Sequence, residues 1–279
     1  MNYRHAFHAG NFADVFKHAV LAAALKALHK KDAPLCYLDT HAGVGRYDLK
    51  HEAAQKTGEY QQGIARLWND AASPEPLSEY LAAVRAVNRG STLRFYPGSP
   101  RIARHFLRPQ DRMVLLEKHP EEAARLMHEF AGDRQVMVHA QDGYQGLRAH
   151  LPPRERRGLV LIDPPYEAAD EFERVNAGLE SAHERWASGI YAVWYPIKDR
   201  PAIERFHGRL RASGMQKILA AEFLLFPEDT AFRMNGCGMV LINPPWRLEE
   251  SLRALLPQLH ARLTQGPGGR WSVFWLVPE

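Results

Sequence analysis

The most specific chemistry in the chain sits where the apolar run Leu159-Val160-Leu161-Ile162 leads into Asp163-Pro164-Pro165-Tyr166. The exocyclic amine of adenine is a poor nucleophile, because its lone pair is delocalised into the ring. Two acceptors that bind its hydrogens and favour a pyramidal nitrogen would aim that lone pair at a methyl donor. The Asp163 carboxylate and the backbone carbonyl of Pro164 are such a pair, and the prolines stiffen the loop while contributing no competing N–H. Tyr166 adds a flat face for a base, worth roughly 1–3 kcal/mol by stacking. A second copy, Asn243-Pro244-Pro245-Trp246, also follows an apolar run. We assign the acceptor role to Asp163, because its strand is expected beside the first strand of a sheet and Asn243 belongs to an edge hairpin displaced from any ligand.

Three other runs end in residues suited to an adenosine-bearing ligand. The first closes in Asp39-Thr40-His41-Ala42-Gly43-Val44-Gly45, whose Gly-x-Gly permits a close turn and backbone approach. The second ends at Glu117, an acceptor for ribose hydroxyls, and the third is followed by Gln141-Asp142-Gly143, where a carboxylate can accept from an adenine amino group. Each acid alone is equally a helix cap or a solvated loop residue. It is their succession at three strand ends that points to a nucleoside cofactor.

These residues need a parallel sheet to bring them together. Strand-like runs at Leu35 to Thr40, Met113 to Glu117, Val136 to Ala140, Leu159 to Asp163 and Ile190 to Tyr195 alternate with longer amphipathic segments, which predicts an α/β, mostly parallel, doubly wound sheet. Lys217 to Phe226 and Gly238 to Asn243 flank a stretch containing Asn235-Gly236 and predict an antiparallel edge hairpin. Asn11 to Lys30 has helical spacing. Residues 46–95 break the rhythm with helices at Glu59 to Trp68 and Leu77 to Asn88 and no convincing strand, so they form a small helical insertion within a single domain over 1–279.

The 279 residues carry 36 Lys and Arg against 32 Asp and Glu, a formal +4 that leans toward a polyanionic partner. Cys36 and Cys237 lie in apolar runs, as reduced buried thiols do. Ala19 to Leu25 is too short to span a bilayer and Met1 to His5 has no signal-peptide pattern, so a soluble cytoplasmic protein is expected. His5-x-x-His8 lacks further ligands at metal-binding spacing, and no metal is expected. Tyr3, Arg4, His5 and His8 form an aromatic and basic arm able to cover a nucleotide. Arg101, Arg104 and Arg108 recur at helical spacing, as an RNA groove or, with more weight, a solvated face. Arg154, Arg156 and Arg157 precede the fourth strand, away from the expected site.

The Asp-Pro-Pro-Tyr tetrapeptide with an upstream Gly-x-Gly resembles the S-adenosylmethionine-dependent adenine amino-methyltransferases. The wider set is similar to the RlmJ family of 23S ribosomal RNA adenine-N6 methyltransferases. It comprises Tyr3-Arg4-His5-x-Phe7-His8-Ala9-Gly10-Asn11, Leu38 to Gly43, Thr57-Gly58-Glu59-Tyr60, Tyr96-Pro97-Gly98-Ser99-Pro100, Asp163 to Tyr166 and Ile242 to Trp246, and spans essentially the whole chain. The resemblance implies a Rossmann-like methyltransferase fold and S-adenosylmethionine contacts at His18, His41, Ser99, Glu117, Asp142, Gly143 and Asp163, to which the Gly-x-Gly adds Gly43. It implies Asp163 as the catalytic residue and Tyr3 beside the target nucleotide, with His5 and Lys17 expected at the RNA. From the residues alone, Ser99-Pro100 also reads as an N-cap with a first-turn proline, and His18 as an exposed or capping histidine. The implied substrate is 23S rRNA, free or in an early assembly intermediate, at adenine-2030, acted on by a monomer. A DNA adenine methyltransferase is the first alternative, disfavoured because no separate target-recognition domain fits. A non-catalytic RNA-binding assembly factor is the second.

Overall fold

The computed structural model describes residues 4–70, 72–228, 234–264 and 268–279. Their elements run α1 (Phe12–Leu28), β1 (Cys36–Asp39), β2 (Arg46–Asp48), α2 (Glu52–Thr57), α3 (Ala65–Trp68), α4 (Leu77–Ala86), β3 (Phe95–Pro97), α5 (Ser99–Phe106), β4 (Arg112–Glu117) and α6 (Pro120–Glu129). Beyond these come β5 (Val136–Ala140), α7 (Gly143–His150), β6 (Gly158–Ile162), α8 (Glu171–Arg185), β7 (Ile190–Ile197), α9 (Arg200–Ala212), β8 (Ile218–Leu224), β9 (Gly236–Ile242), α10 (Leu248–Leu263) and β10 (Arg270–Val277). Eight strands form one sheet in the order β10-β8-β9-β7-β6-β1-β4-β5. The five from β7 to β5 are parallel, and β9, β8 and β10 add antiparallel.

The continuous apolar character of the inner strands follows from burial on both faces, which the edge strands β5 and β10 lack. Tyr37, Leu159 and Leu161 point into a core shared with α1, α5 and α10, whereas Leu38, Val160 and Ile162 point into one shared with α7, α8 and α9. Helix α1 is buried nearly all round, so Asp14, Lys17 and His18 are polar groups held inside the protein. Its start is set by Asn11, whose side chain accepts from the Asp14 N–H at 2.9 Å.

The antiparallel edge holds one strand more than the hairpin signal announces. Strand β10 pairs along β8 and is outermost, and β9 lies inside against β7. Asn235-Gly236 is not a two-residue turn: Gly236 opens β9, and the connection from β8 spans 225–235. At the two ends of 46–95, β2 and β3 pair antiparallel as a separate two-stranded sheet, with β3 running on to Pro97, a feature too short to show as an apolar alternation. The expected helix at 59–68 is a 3₁₀ turn followed by α3, broken at Gly63, where a Cβ would lie 2.0 Å from the Gly10 carbonyl. Ile64, Leu67, Tyr80 and Leu81 of this segment, with Tyr96 just past it, join the same core as α1.

The chain runs outward from β1 to β4 and β5, then returns past β1 to β6 and β7. The switch point therefore lies between β1 and β6, where an open sheet of this kind binds its ligand beyond the carboxyl ends of the strands.

Candidate active site

A cavity of about 710 Å³ opens over that switch point. It is lined by His18, His41, Gly43, Ser99, Glu117, Asp142, Gly143, Asp163, Pro164 and Tyr166, and also by His5 and Lys17. Of the expected site residues, Tyr3 alone lies outside the described residues. The volume suits a nucleoside-sized ligand together with a second planar group.

On the β1, β4 and β5 side, backbone groups and carboxylates interlock. Glu117 accepts the Gly43 N–H at 2.8 Å and the His119 N–H at 2.7 Å, one on each oxygen, so the carboxylate is fixed at the end of β4. Burial raises its pKa against those two donors. Asp142 caps α7, accepting from the Tyr144 N–H at 3.0 Å, and Lys118 reaches its other oxygen at 3.1 Å. Its capping role and its place in the cavity coexist. Gly143 packs against the end of β1, where a Cβ would stand 2.2 Å from the Thr40 carbonyl oxygen. His18 is buried and His41 partly so, and desolvation drives them down to about 3 and about 4, so both imidazoles are neutral at pH 7. His18 shares a hydrogen bond with the Tyr96 hydroxyl at 2.8 Å, inside the protein rather than at an exposed cap.

Ser99 is not the N-cap of α5. Gly98 holds that position without a side-chain bond, and the Ser99 hydroxyl donates to the carboxylate of Asp39. Asp39 also accepts from the Tyr37 hydroxyl at 2.8 Å and the His41 N–H at 3.2 Å. Fully buried, its carboxyl is pushed up to about 6 by desolvation, which Ser99 and Tyr37 offset in part. Two carboxylates and two neutral imidazoles, with Lys118 reaching Asp142 at the rim, suit a cationic ligand bearing a ribose and an adenine. A sulfonium nucleoside fits that description.

On the β6 and β7 side, Asp163 follows β6 and meets Lys17 across the cavity, Nζ to Oδ2 at 2.6 Å. Lys17 also contacts Asp14 Oδ1 at 3.0 Å, and Asp14 Oδ2 lies 2.9 Å from His5 Nε2 and accepts the Gly10 N–H at 2.9 Å. Tyr166 has a positive φ of 50° and donates its hydroxyl to the Trp194 carbonyl at 2.7 Å. Phe172 at 4.9 Å and Trp194 at 5.8 Å brace its ring. His8 bonds Glu59 at 2.9 Å, which together with Asn11 ties the arm to the 3₁₀ turn at 59–62.

Asp14, Trp194 and Lys198 line the cavity but were not singled out from the sequence. The signal for Asp14 was available as an acid inside an otherwise apolar helix. For Trp194 and Lys198 it was the end of the fifth parallel strand, the next place to look by the rule that found the other four.

Other expectations fall away from the cavity. Asn243 donates to the Ala187 and Gly189 carbonyls at 2.8 Å each, at the end of the sheet opposite Asp163, because β9 runs antiparallel to β6 and β7. Its distance from the site thus comes from strand direction, not from an edge position. Arg101, Arg104 and Arg108 are neither an open groove nor a solvated face. Arg101 and Arg104 are bonded to Glu129 and Asp133 at 2.6 Å each, clamping α5 to the end of α6 and the turn after it, and Arg108, past α5, is bonded to Asp111 at 3.0 Å in the turn into β4. Arg157 donates to the Leu28 and Ala33 carbonyls near the start of β1. Both cysteines are buried, and desolvation raises their thiol pKa values, Cys36 to about 12. Among the described residues no group of three His, Cys, Asp or Glu is placed to hold a metal ion, and no helix is long and apolar enough to cross a membrane.

Comparison with known proteins agrees with this geometry. Residues 32–277 match the family model described as "Ribosomal RNA large subunit methyltransferase D, RlmJ". The chain is 47% identical over 279 residues to Ribosomal RNA large subunit methyltransferase J of Escherichia coli, and 45% identical over 280 residues to the protein of that name from Haemophilus influenzae, with both chains of each pair covered in full. The crystal structure of protein LPL1258 from Legionella pneumophila superposes with a TM-score of 0.89 at 37% identity, covering 96% of this chain and 98% of that one. The chain is therefore a methyltransferase and belongs to the ribosomal RNA large subunit methyltransferase J family.

Proposed function

We propose that this chain transfers a methyl group from S-adenosylmethionine to the exocyclic N6 of an adenine in 23S rRNA, adenine-2030 by family resemblance. The observation that carries the reading is the Asp163-Pro164 acceptor pair, at the switch point and in one cavity with Gly43, Glu117, Asp142 and Gly143. When bound, S-adenosylmethionine supplies an electrophilic methyl group on a sulfonium. His18, His41, Gly43, Ser99, Glu117, Asp142 and Gly143 would hold it, with neutral imidazoles that add no repulsion to its charge.

The target adenine is extruded from its stem or loop at a cost of a few kcal/mol. Its amine hydrogens are accepted by Asp163 and by the Pro164 carbonyl, while the base lies against Tyr166, whose ring is held by its bond to Trp194. Lys17 engages Asp163 Oδ2, which leaves Oδ1 to accept from the amine. Asp163 would orient the nitrogen and stabilise the positive charge it gains as it takes the methyl group, which would leave the sulfonium as a neutral thioether; the surplus proton then leaves to solvent. Tyr3, His5 and Lys17 contact the RNA from the arm and α1. The protein acts as a cytoplasmic monomer on free rRNA or an early assembly intermediate, with 46–95 as an insertion in a single domain.

The test is transfer of labelled methyl to protein-free 23S rRNA, followed by nucleoside analysis. Label is expected in N6-methyladenosine, and its loss is expected with Asp163→Ala. Label on duplex DNA but not on RNA, or near-normal transfer by a folded Asp163→Ala protein, would overturn the reading.

A further inference from the structure

We propose that Asp14 is a positioning residue for methyl transfer, setting the Lys17 ammonium on Asp163 and tying the amino-terminal arm to the same point; the inference rests on the function proposed for the cavity. Asp14 is 2% exposed and occupies the third position of α1. An acid there ordinarily completes a capping box, one oxygen satisfying a backbone N–H and the other meeting water. Here the N-cap Asn11 N–H goes instead to the His8 carbonyl, Asp14 accepts the Gly10 N–H at 2.9 Å, and no oxygen is left to solvent. Oδ1 holds Lys17 Nζ at 3.0 Å and Oδ2 also meets His5 Nε2 at 2.9 Å.

A buried carboxylate is costly unless it is paired and hydrogen-bonded, and the Gly10 N–H, His5 and Lys17 do both for Asp14. Burial alone would raise the Asp14 carboxyl, yet the charges of His5 and Lys17 hold it well below the carboxylate range. The consequence lies at Asp163. A lysine free to choose would spread over both Asp163 oxygens and cancel the negative charge that the amine needs as it turns cationic. Pinned by Asp14, Lys17 meets one oxygen only, Oδ2 at 2.6 Å. Asp14, Lys17 and Asp163 by themselves carry one net negative charge beside the reacting nitrogen, which His5 on the same carboxylate offsets only in its protonated form. His5 of the arm is bonded to the same carboxylate and lines the cavity beside that cluster.

The experiment is a double-mutant cycle on methyl transfer to 23S rRNA. Asp14→Asn keeps the cap and the volume but removes the charge. It is expected to lower kcat roughly 10- to 100-fold, with the KM for S-adenosylmethionine within about twofold of wild type. In a Lys17→Met background the same change is expected to lower kcat no further. Asp14→Glu, which retains the charge at a position where Glu caps well, is expected to recover turnover relative to Asn. Equal losses from Asp14→Asn with and without Lys17, or Asn outperforming Glu, would show a merely structural acid and overturn the positioning role while leaving the wild-type activity standing. A wild-type protein that moves no label to RNA would instead overturn both readings.

Discussion

The loops after β6 and β9 begin alike: a short acid or its amide, two prolines and an aromatic. Both use left-handed non-glycine residues, Tyr166 at φ 50° in one and Asn243 at 51° and Arg247 at 62° in the other. Their surroundings are opposite. Asp163 is an acceptor in a cavity, facing Lys17 at 2.6 Å. Asn243 is a donor, its Nδ2 shared by the Ala187 and Gly189 carbonyls that precede β7. Tyr166 is braced by Phe172 and Trp194, whereas Trp246 stands 74% exposed. The same rigid device serves reaction in one place and loop closure in the other, and the deciding factor is that β9 runs against β6 and β7, so its carboxyl end emerges at the far side of the sheet.

Exchanging the leading residues puts the largest strain on that comparison. Asp163→Asn places a donor amide where an acceptor pair is needed, and turnover is expected to fall on the order of 10²- to 10³-fold. Asn243→Asp, remote from the cavity, is expected to leave turnover within twofold of wild type. Comparable losses from the two in a methyl-transfer assay would erase the distinction.

Stability reverses the ranking. Asn243→Ala leaves two carbonyls without their donor and puts alanine at a positive φ, for an expected cost of about 2–4 kcal/mol. Chemical denaturation reads it directly, and a change below about 0.5 kcal/mol would mean the bonds to Ala187 and Gly189 do not close the loop. Tyr166→Phe removes one hydrogen bond to the Trp194 carbonyl while keeping the ring. It is expected to cost about 1 kcal/mol and to lower kcat less than threefold, since the stacking face remains. A loss as large as that of Asp163→Asn would move the phenol itself into the chemistry.

Much of this contrast was legible, but not its cause. Runs buried on both faces announce strands at Arg112–Glu117 or Gly158–Ile162 almost to the residue, and the residues at or just past the ends of the parallel strands include Gly43, Glu117, Asp142 and Asp163. A strand buried on both faces reads the same whether parallel or antiparallel, so Gly236–Ile242 could be found while the direction that removes Asn243 from the site could not. Paired three-residue strands such as Arg46–Asp48 and Phe95–Pro97 leave no alternation to detect. Arg270–Val277 had the aromatic and β-branched composition of a strand, but a hairpin signal upstream stops the reading short of it. Side-chain partners distant in sequence are the least accessible: Ser99 next to a proline looks like a cap until Asp39 is seen to take its hydroxyl, and three arginines at helical spacing look solvated until Glu129, Asp133 and Asp111 are found beneath them.

The smallest effect belongs to the most conspicuous side chain. Trp246 carries the largest exposed apolar surface among the described residues, with Lys30 at 4.8 Å and Arg247 at 5.2 Å from its ring. Cation–π contacts at so exposed a site are worth roughly 0.5–1 kcal/mol, and Arg247 is also paired with Glu250, so removal of the ring leaves it a partner. Little area is recovered from water by an aromatic that remains three-quarters solvated. Trp246→Ala is therefore expected to change stability by no more than about 1 kcal/mol and turnover not at all, whereas Tyr166→Ala, at the matching place in the other loop, is expected to raise the KM for RNA several-fold through the lost stacking face. Matched kinetics on the two alanine variants read this directly. Equal increases in KM would mean that the far end of the sheet also meets the RNA, and the two loops would then differ in chemistry but not in substrate contact.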